Sequence, residues 1–135
     1  MTKIKLICQG DLQIQATHES SGITLKTDAP IDNQGKGRGF SPTDLVATAL
    51  GSCMGTIMEI VANQSGIHLE GMTISVEKSM TKRSPRSIER LKVNFDIPKK
   101  LPLEDQKRLE KVAKACPVCL SLHPHVEIIT HFHWA

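Results

Sequence analysis

Between Leu45 and Ala62 only Thr48, Ser52, Thr56 and Glu59 are polar, and Gly51 and Gly55 stand four residues apart. The stretch opens on Ser41-Pro42-Thr43-Asp44, with Ser as the N-cap, Pro at the first helical position and an acid at the third. It closes on Ser65-Gly66, a helix stop. A helix from Pro42 to about Gln64 is therefore predicted. Being apolar on nearly every side, it must be buried on most sides. Each mid-helix glycine costs roughly 1 kcal/mol against alanine, so their shared face predicts close approach by another helix or by a second copy of this one. One small sheet covers only one side of such a helix, and the other predicted helices are short and basic on one face. An obligate homodimer is the expected solution.

Strand patterns flank this helix. Ile4, Leu6 and Cys8 are set against Lys3 and Lys5, and the same period returns over Leu12–Ala16 and Gly22–Thr27, which predicts an antiparallel meander. Cys8 is expected on its apolar face, in the core. Asp28 to Gly39 has loop composition, with Arg38 between two glycines. Met72–Lys78 and Ile88–Ile97 read as strands joined by a turn at Ser84-Pro85. A short helix opens at Leu103 and ends at Ala115-Cys116-Pro117, a second short turn runs from Pro117 to Leu122, and Val126–Phe132 closes the chain as a strand. Strands and helices are segregated, so the fold class is α+β, as a single domain over 1–135.

The chain has 135 residues, with 17 Lys and Arg against 14 Asp and Glu. That slight excess argues against a nucleic-acid binder, which concentrates basic residues in a stripe. No uninterrupted apolar run of membrane-spanning length is present, since Asp44 and Glu59 bracket the least charged stretch. The first residues lead directly into the alternating pattern without the apolar block of a signal peptide, so a cytoplasmic location is expected. In a reducing compartment, four cysteines point to redox chemistry, metal binding or packing rather than structural disulfides.

Cys53 lies in Leu50-Gly51-Ser52-Cys53-Met54-Gly55, roughly 15 Å along the helix from Thr43, too far for the helix N-terminus to activate it. Any activating cation must come from elsewhere. Cys116 precedes Pro117 and is the predicted N-cap of the following turn, and Cys119 follows at C-x-x-C spacing. That pair, with His123 and His125, is open to three readings: a redox pair, half of a metal site, or packing. The histidines flank Pro124 or share a strand face, which favours surface positions over zinc ligation.

Ser41-Pro42-Thr43-Asp44-Leu45 opening a long helix that carries Leu50-Gly51-Ser52-Cys53, with Ala115-Cys116-Pro117-Val118 63 positions later and then Val126-Glu127-Ile128, resembles the OsmC/Ohr family of osmotically inducible and organic hydroperoxide resistance proteins. The resemblance covers essentially the whole chain. It implies an OsmC-like intertwined homodimer with a long central helix packed on antiparallel sheets, and sites built by both chains. It also implies a thiol-dependent peroxidase in which Cys53 is peroxidatic and Cys116 resolves it. The oxidant would be a small organic hydroperoxide and the reductant an external thiol or dithiol, with no bound cofactor or metal. Cys119 is an alternative resolving thiol. The chain departs from the family pattern where Thr43 stands for a glutamate that holds an arginine against the thiolate, and where residues 1–37 lack any arginine. Arg38 is the nearest substitute. Asp44 is the nearest acid, but it lies nine residues from Cys53 and so about half a turn away on the helix. A non-catalytic protein binding an apolar ligand, and a zinc-stabilised module using Cys116, Cys119 and nearby histidines, are the alternatives.

Overall fold

The computed structural model describes residues 1–135, which pack as two compact units, Met1–Val46 and Ala47–Ala135. In the first, β1 (Ile4–Gly10), β2 (Gln13–His18) and β3 (Thr24–Asp28) form the expected antiparallel meander in the order β1-β2-β3. The β1–β2 turn places Asp11 and Leu12 at positive φ, 52° and 60°, which matches the twist of a tight hairpin. Alternation in β1 does not translate into burial. Ile4 is 59% exposed, Leu6 62% and Ile7 52%, so both faces of this strand are open, because the unit provides no second layer over it. Cys8 is exposed with them, not in a core.

The second unit holds the long helix and the sheet beneath it. α1 runs Pro42–Gln64, beginning in the first unit, and β4 (Thr73–Met80), β5 (Ile88–Ile97), α2 (Leu103–Ala113), α3 (Pro117–Ser121) and β6 (Glu127–Trp134) follow. β4 and β5 are antiparallel, but β6 lies parallel to β5, so this sheet is mixed rather than antiparallel throughout. The reason is the connection: a parallel neighbour needs a crossover of a dozen or more residues, and the segment carrying α2 and α3 supplies it. Phe95 and Phe132, register partners on β5 and β6, stack with centroids 4.6 Å apart. Trp134 Nε1 donates to Glu110 Oε1 at 2.9 Å and ties the end of β6 to α2. Leu91, Val93, Phe95 and Ile97 of β5 meet Leu50, Met54 and Met58 of α1 and Leu109 and Ala113 of α2 in one buried cluster.

α1 has the expected bounds but not the expected surroundings. Its capping is reciprocal: Asp44 N–H donates to Ser41 Oγ at 3.1 Å, and Ser41 N–H donates to Asp44 Oδ2 at 2.9 Å. Its buried residues Ala47, Leu50, Gly51, Met54, Gly55, Met58 and Ala62 form one arc, while Thr48, Ser52, Thr56 and Glu59 share the exposed side. Within a single chain these polar residues form an exposed stripe. By length and mean hydropathy, 1.7, α1 would suffice to cross a membrane, yet its buried arc is packed into this protein core.

The glycines also have a different neighbour. A Cβ at Gly51 would lie 2.8 Å from Val76 Cγ2, and one at Gly55 would lie 2.5 Å from Ile74 Cδ1. Gly51 and Gly55 therefore let strand β4 come close, and the structure gives them no helical partner. Valine is stiff at χ1, so Gly51→Ala should destabilise despite roughly 1 kcal/mol gained in helix propensity. Overpacking of this kind costs about 1–3 kcal/mol. Chemical denaturation should show a lower midpoint for Gly51→Ala and recovery when Val76→Ala is added. A Gly51→Ala protein at least as stable as the parent would contradict the close approach.

Candidate active site

Cys53 is two residues beyond Gly51, roughly 200° around the helix, and so lies on the flank of α1 away from β4. It is half-buried and packs against the central cluster, as do Val118, Cys119 and Leu122. Cys116 is inside that cluster and fully buried. The chain arrives there because α2 ends at Ala113 and Pro117 cannot continue a helix ladder, which makes Cys116 the N-cap of α3 as its sequence context implied. Its sulfur accepts the Cys119 N–H at 3.3 Å.

The two long-separated cysteines pack into the same region of the core. Burial pushes the Cys116 thiol up from its ordinary value, the Cys119 N–H opposes this, and the Cys53 side chain pushes it up further. Cys116 therefore keeps its proton at neutral pH. Burial also raises the Cys119 thiol, and the charge of nearby Cys53 adds to it. Cys116 within the buried cluster, and Cys53 and Cys119 packed against it, are all free thiols. That Cys53, Cys116 and Cys119 pack into or against one cluster could not be read from the sequence, because the spacing of α1 and α3 in the chain carries no information on their packing.

The histidines take no part in this cluster. His123, His125, His131 and His133 are exposed, and His123 and His125 pair with each other through their Nδ1 atoms at 2.6 Å. No three His, Cys, Asp or Glu side chains converge in a way that could hold a metal ion.

Arg38 and Asp44 lie in the first unit. Arg38 Nε and a terminal nitrogen grip the Asp28 carboxylate at 2.8 and 3.0 Å, its other terminal nitrogen reaches Asp11 Oδ2 at 2.9 Å, and its backbone N–H also donates to Asp28 at 2.8 Å. Lys36 adds a 3.1 Å pair to Asp11. The loop from Asp28 to Arg38 is thereby closed on the β1–β2 turn. Asp44 serves the helix cap described above. Asp28 and Asp11 were missed as partners of Arg38. Their only signal was that an arginine between flexible glycines needs a fixed anion to be ordered, which leaves the choice of acid open.

A half-buried cysteine on a long core helix and a buried cysteine held before a proline are thus packed into one cluster on an α+β scaffold. The chain belongs to the OsmC-like protein family, whose model matches residues 35–131. Among solved structures it is similar to a protein of Psychrobacter arcticus named for osmotic stress and detoxification responses, at 41% identity over 98% of this chain and 96% of that one, with a TM-score of 0.93. Two further structures share the fold at 20% identity. One is the organic hydroperoxide resistance protein OsmC of Legionella pneumophila (98% and 96% covered, TM-score 0.76). The other is the organic hydroperoxide resistance protein OhrB of Bacillus subtilis (98% and 97% covered, TM-score 0.71). No curated protein matches the chain.

The Arg38 clamp has a pH signature. Hydrogen bonds from the Arg38 side chain, then its backbone, hold the Asp28 carboxyl down at about 2 against an ordinary 3.8. A depressed acid stabilises the fold above its unfolded value, and that contribution is lost as pH falls through the folded one. The Arg38 Nε–H resonance should therefore persist below pH 3.8 and vanish as Asp28 titrates near 2, and Asp28→Asn should lack it at every pH. Loss of the signal with a midpoint at the ordinary aspartate value would contradict the clamp.

Proposed function

We propose that the protein reduces small organic hydroperoxides through a two-cysteine cycle, with Cys53 as the peroxidatic thiol and Cys116 as the resolving one. The single observation that carries this reading is that Cys53 and Cys116, 63 positions apart in the chain, pack into one cluster of the core as free thiols. Family membership and the names of its structural neighbours, organic hydroperoxide resistance proteins among them, support it.

The Cys53 thiolate attacks the outer peroxide oxygen, the O–O bond breaks, and the alkoxide leaves with a proton as the alcohol. Cys53 is then a sulfenic acid. Cys116 attacks that sulfur, its proton departs with the hydroxyl as water, and a Cys53–Cys116 disulfide forms. Two external thiols, or one dithiol, restore both cysteines and leave as a disulfide. The burial of Cys116 suits the second step, since a thiol kept protonated and out of reach does not compete for the oxidant. The apolar wall around Cys53, with Ile57 on the same helix, favours alkyl hydroperoxides over strongly hydrated hydrogen peroxide. Free thiols as the working state suit the reducing cytoplasm.

The cation assigned to the Cys53 thiolate in this reading is the Arg38 of a second copy of the chain; within each chain Asp28 and Asp11 fix Arg38 in one orientation. A second copy of the chain forms the rest of the site. Strand β1 exposes Ile4 and Leu6 on one face and Ile7 on the other, apolar area that a second copy would cover. Sedimentation at sub-micromolar concentration should give a dimer, and a well-folded monomer would contradict the shared site.

Consumption of cumene hydroperoxide tests the roles together. Cys53→Ser should abolish it, Cys116→Ser should permit one oxidation per chain without recycling by dithiols, and Arg38→Met should slow Cys53 oxidation at neutral pH. Full consumption by Cys53→Ser would show that the nucleophile is misassigned. A protein that only binds an apolar ligand would consume none in any form.

A further inference from the structure

The two-cysteine cycle leaves one thiol of the cluster without a task. We propose that Cys119 takes over the oxidised state: it displaces Cys53 from the Cys53–Cys116 disulfide and closes a Cys116–Cys119 disulfide, which is the bond the external thiol reduces. This rests on the peroxidase reading above and extends it to the site of reductant entry.

The geometry of α3 provides for the exchange. Cys116 is the N-cap and Cys119 stands three residues on, with its N–H on the Cys116 sulfur at 3.3 Å, so the two side chains occupy the same side of the first turn. Cys119 also lies near enough to Cys53 for the charge of one to act on the other. An attacker on the Cys116 sulfur must come from the protein itself, because that residue is fully buried. Cys119 is part-exposed, and its neighbour Leu120 is 74% exposed. A disulfide ending on Cys119 therefore presents a sulfur at the edge of the core, beside an apolar residue suited to a reductant with an alkyl chain.

Burial and position order the steps. In the reduced protein, burial holds the Cys119 thiol up and protonated, so it does not compete with Cys53 for oxidant. Once the Cys53–Cys116 disulfide has formed, Cys119 is the thiol nearest in the chain to the Cys116 sulfur, with its N–H already on that sulfur. Cys119 then loses its proton to solvent and its thiolate attacks the Cys116 sulfur. The Cys116–Cys119 bond forms, the Cys53–Cys116 bond breaks, and the electron pair leaves on Cys53 as a thiolate. The exchange is neutral in electrons and needs no co-reactant. Cys53 is returned to its attacking form before any reductant arrives, so one chain takes up two equivalents of hydroperoxide where a plain two-cysteine cycle takes up one.

Trypsin separates the outcomes cleanly, because Cys53 lies on the 39–78 fragment while Cys116 and Cys119 share the 115–135 fragment. The reduced protein is treated with one equivalent of cumene hydroperoxide, alkylated and digested. We expect the 115–135 fragment with an internal disulfide and an alkylated 39–78 fragment. Without reductant, the parent should consume two equivalents per chain, and Cys119→Ser and Cys119→Ala should consume one and give the cross-linked pair of fragments. A parent protein that shows the cross-linked pair with Cys119 alkylated, and consumes one equivalent, would overturn the transfer. Should neither parent nor variants consume hydroperoxide, the peroxidase reading falls by itself. The same map after oxidation with diamide, a two-electron thiol oxidant, then decides the role of Cys119 by the same two patterns.

Discussion

The close seating of α1 on β4 is the constraint from which the second unit follows. Two glycines remove the side chains that would hold the helix off the strand, and Val76 and Ile74 fill the space. The helix then sits deep enough for Leu50, Met54 and Met58 to reach the inward residues of β5. With one arc of α1 consumed by the sheet, the flank carrying Cys53 remains for α2 and α3. The buried arc that makes the core and the flank that makes the thiol site are thus two consequences of one packing choice.

Chemistry enters through the proline after Cys116. It stops α2 from continuing and turns the chain so that a cysteine becomes a helix cap in the core. There burial keeps the thiol protonated, while the packing of α1 and α3 brings cysteines 63 positions apart in the chain into one cluster. In the proposed cycle this divides the labour: the accessible sulfur would meet the oxidant and the inaccessible one would wait. In the first unit, charge performs a different task. Asp28 and Asp11 fix Arg38 and close a loop whose glycines would otherwise leave it loose.

Much of this was legible in the residues because the signals were local. The start of α1 was written in Ser41, Pro42 and Asp44, and the cap at Cys116 in its proline. The strand periods located six strands to within two or three residues at most ends. What depended on contact between distant segments was not legible. The glycine pair announced a close approach without saying that a strand would make it. The alternation around Cys8 promised a covered face that its own unit does not provide. The parallel placement of β6 followed from the length of a crossover, not from any residue in the strand. The thiol cluster itself was suggested by resemblance, and its third member by nothing more than C-x-x-C spacing.

The proposed cycle requires Cys53 and Cys116 to lie next to each other in the resting, reduced protein. Phenylarsine oxide, which binds two thiols at once only when their sulfurs are adjacent, tests this without any redox turnover. The reagent should be applied to the Cys119→Ser protein, so that the C-x-x-C pair cannot answer for the result. The account predicts one equivalent bound per chain, with Cys53 and Cys116 protected together from alkylation and the binding lost when either is replaced by serine. Failure to bind, with the two cysteines alkylating independently of each other, would contradict it.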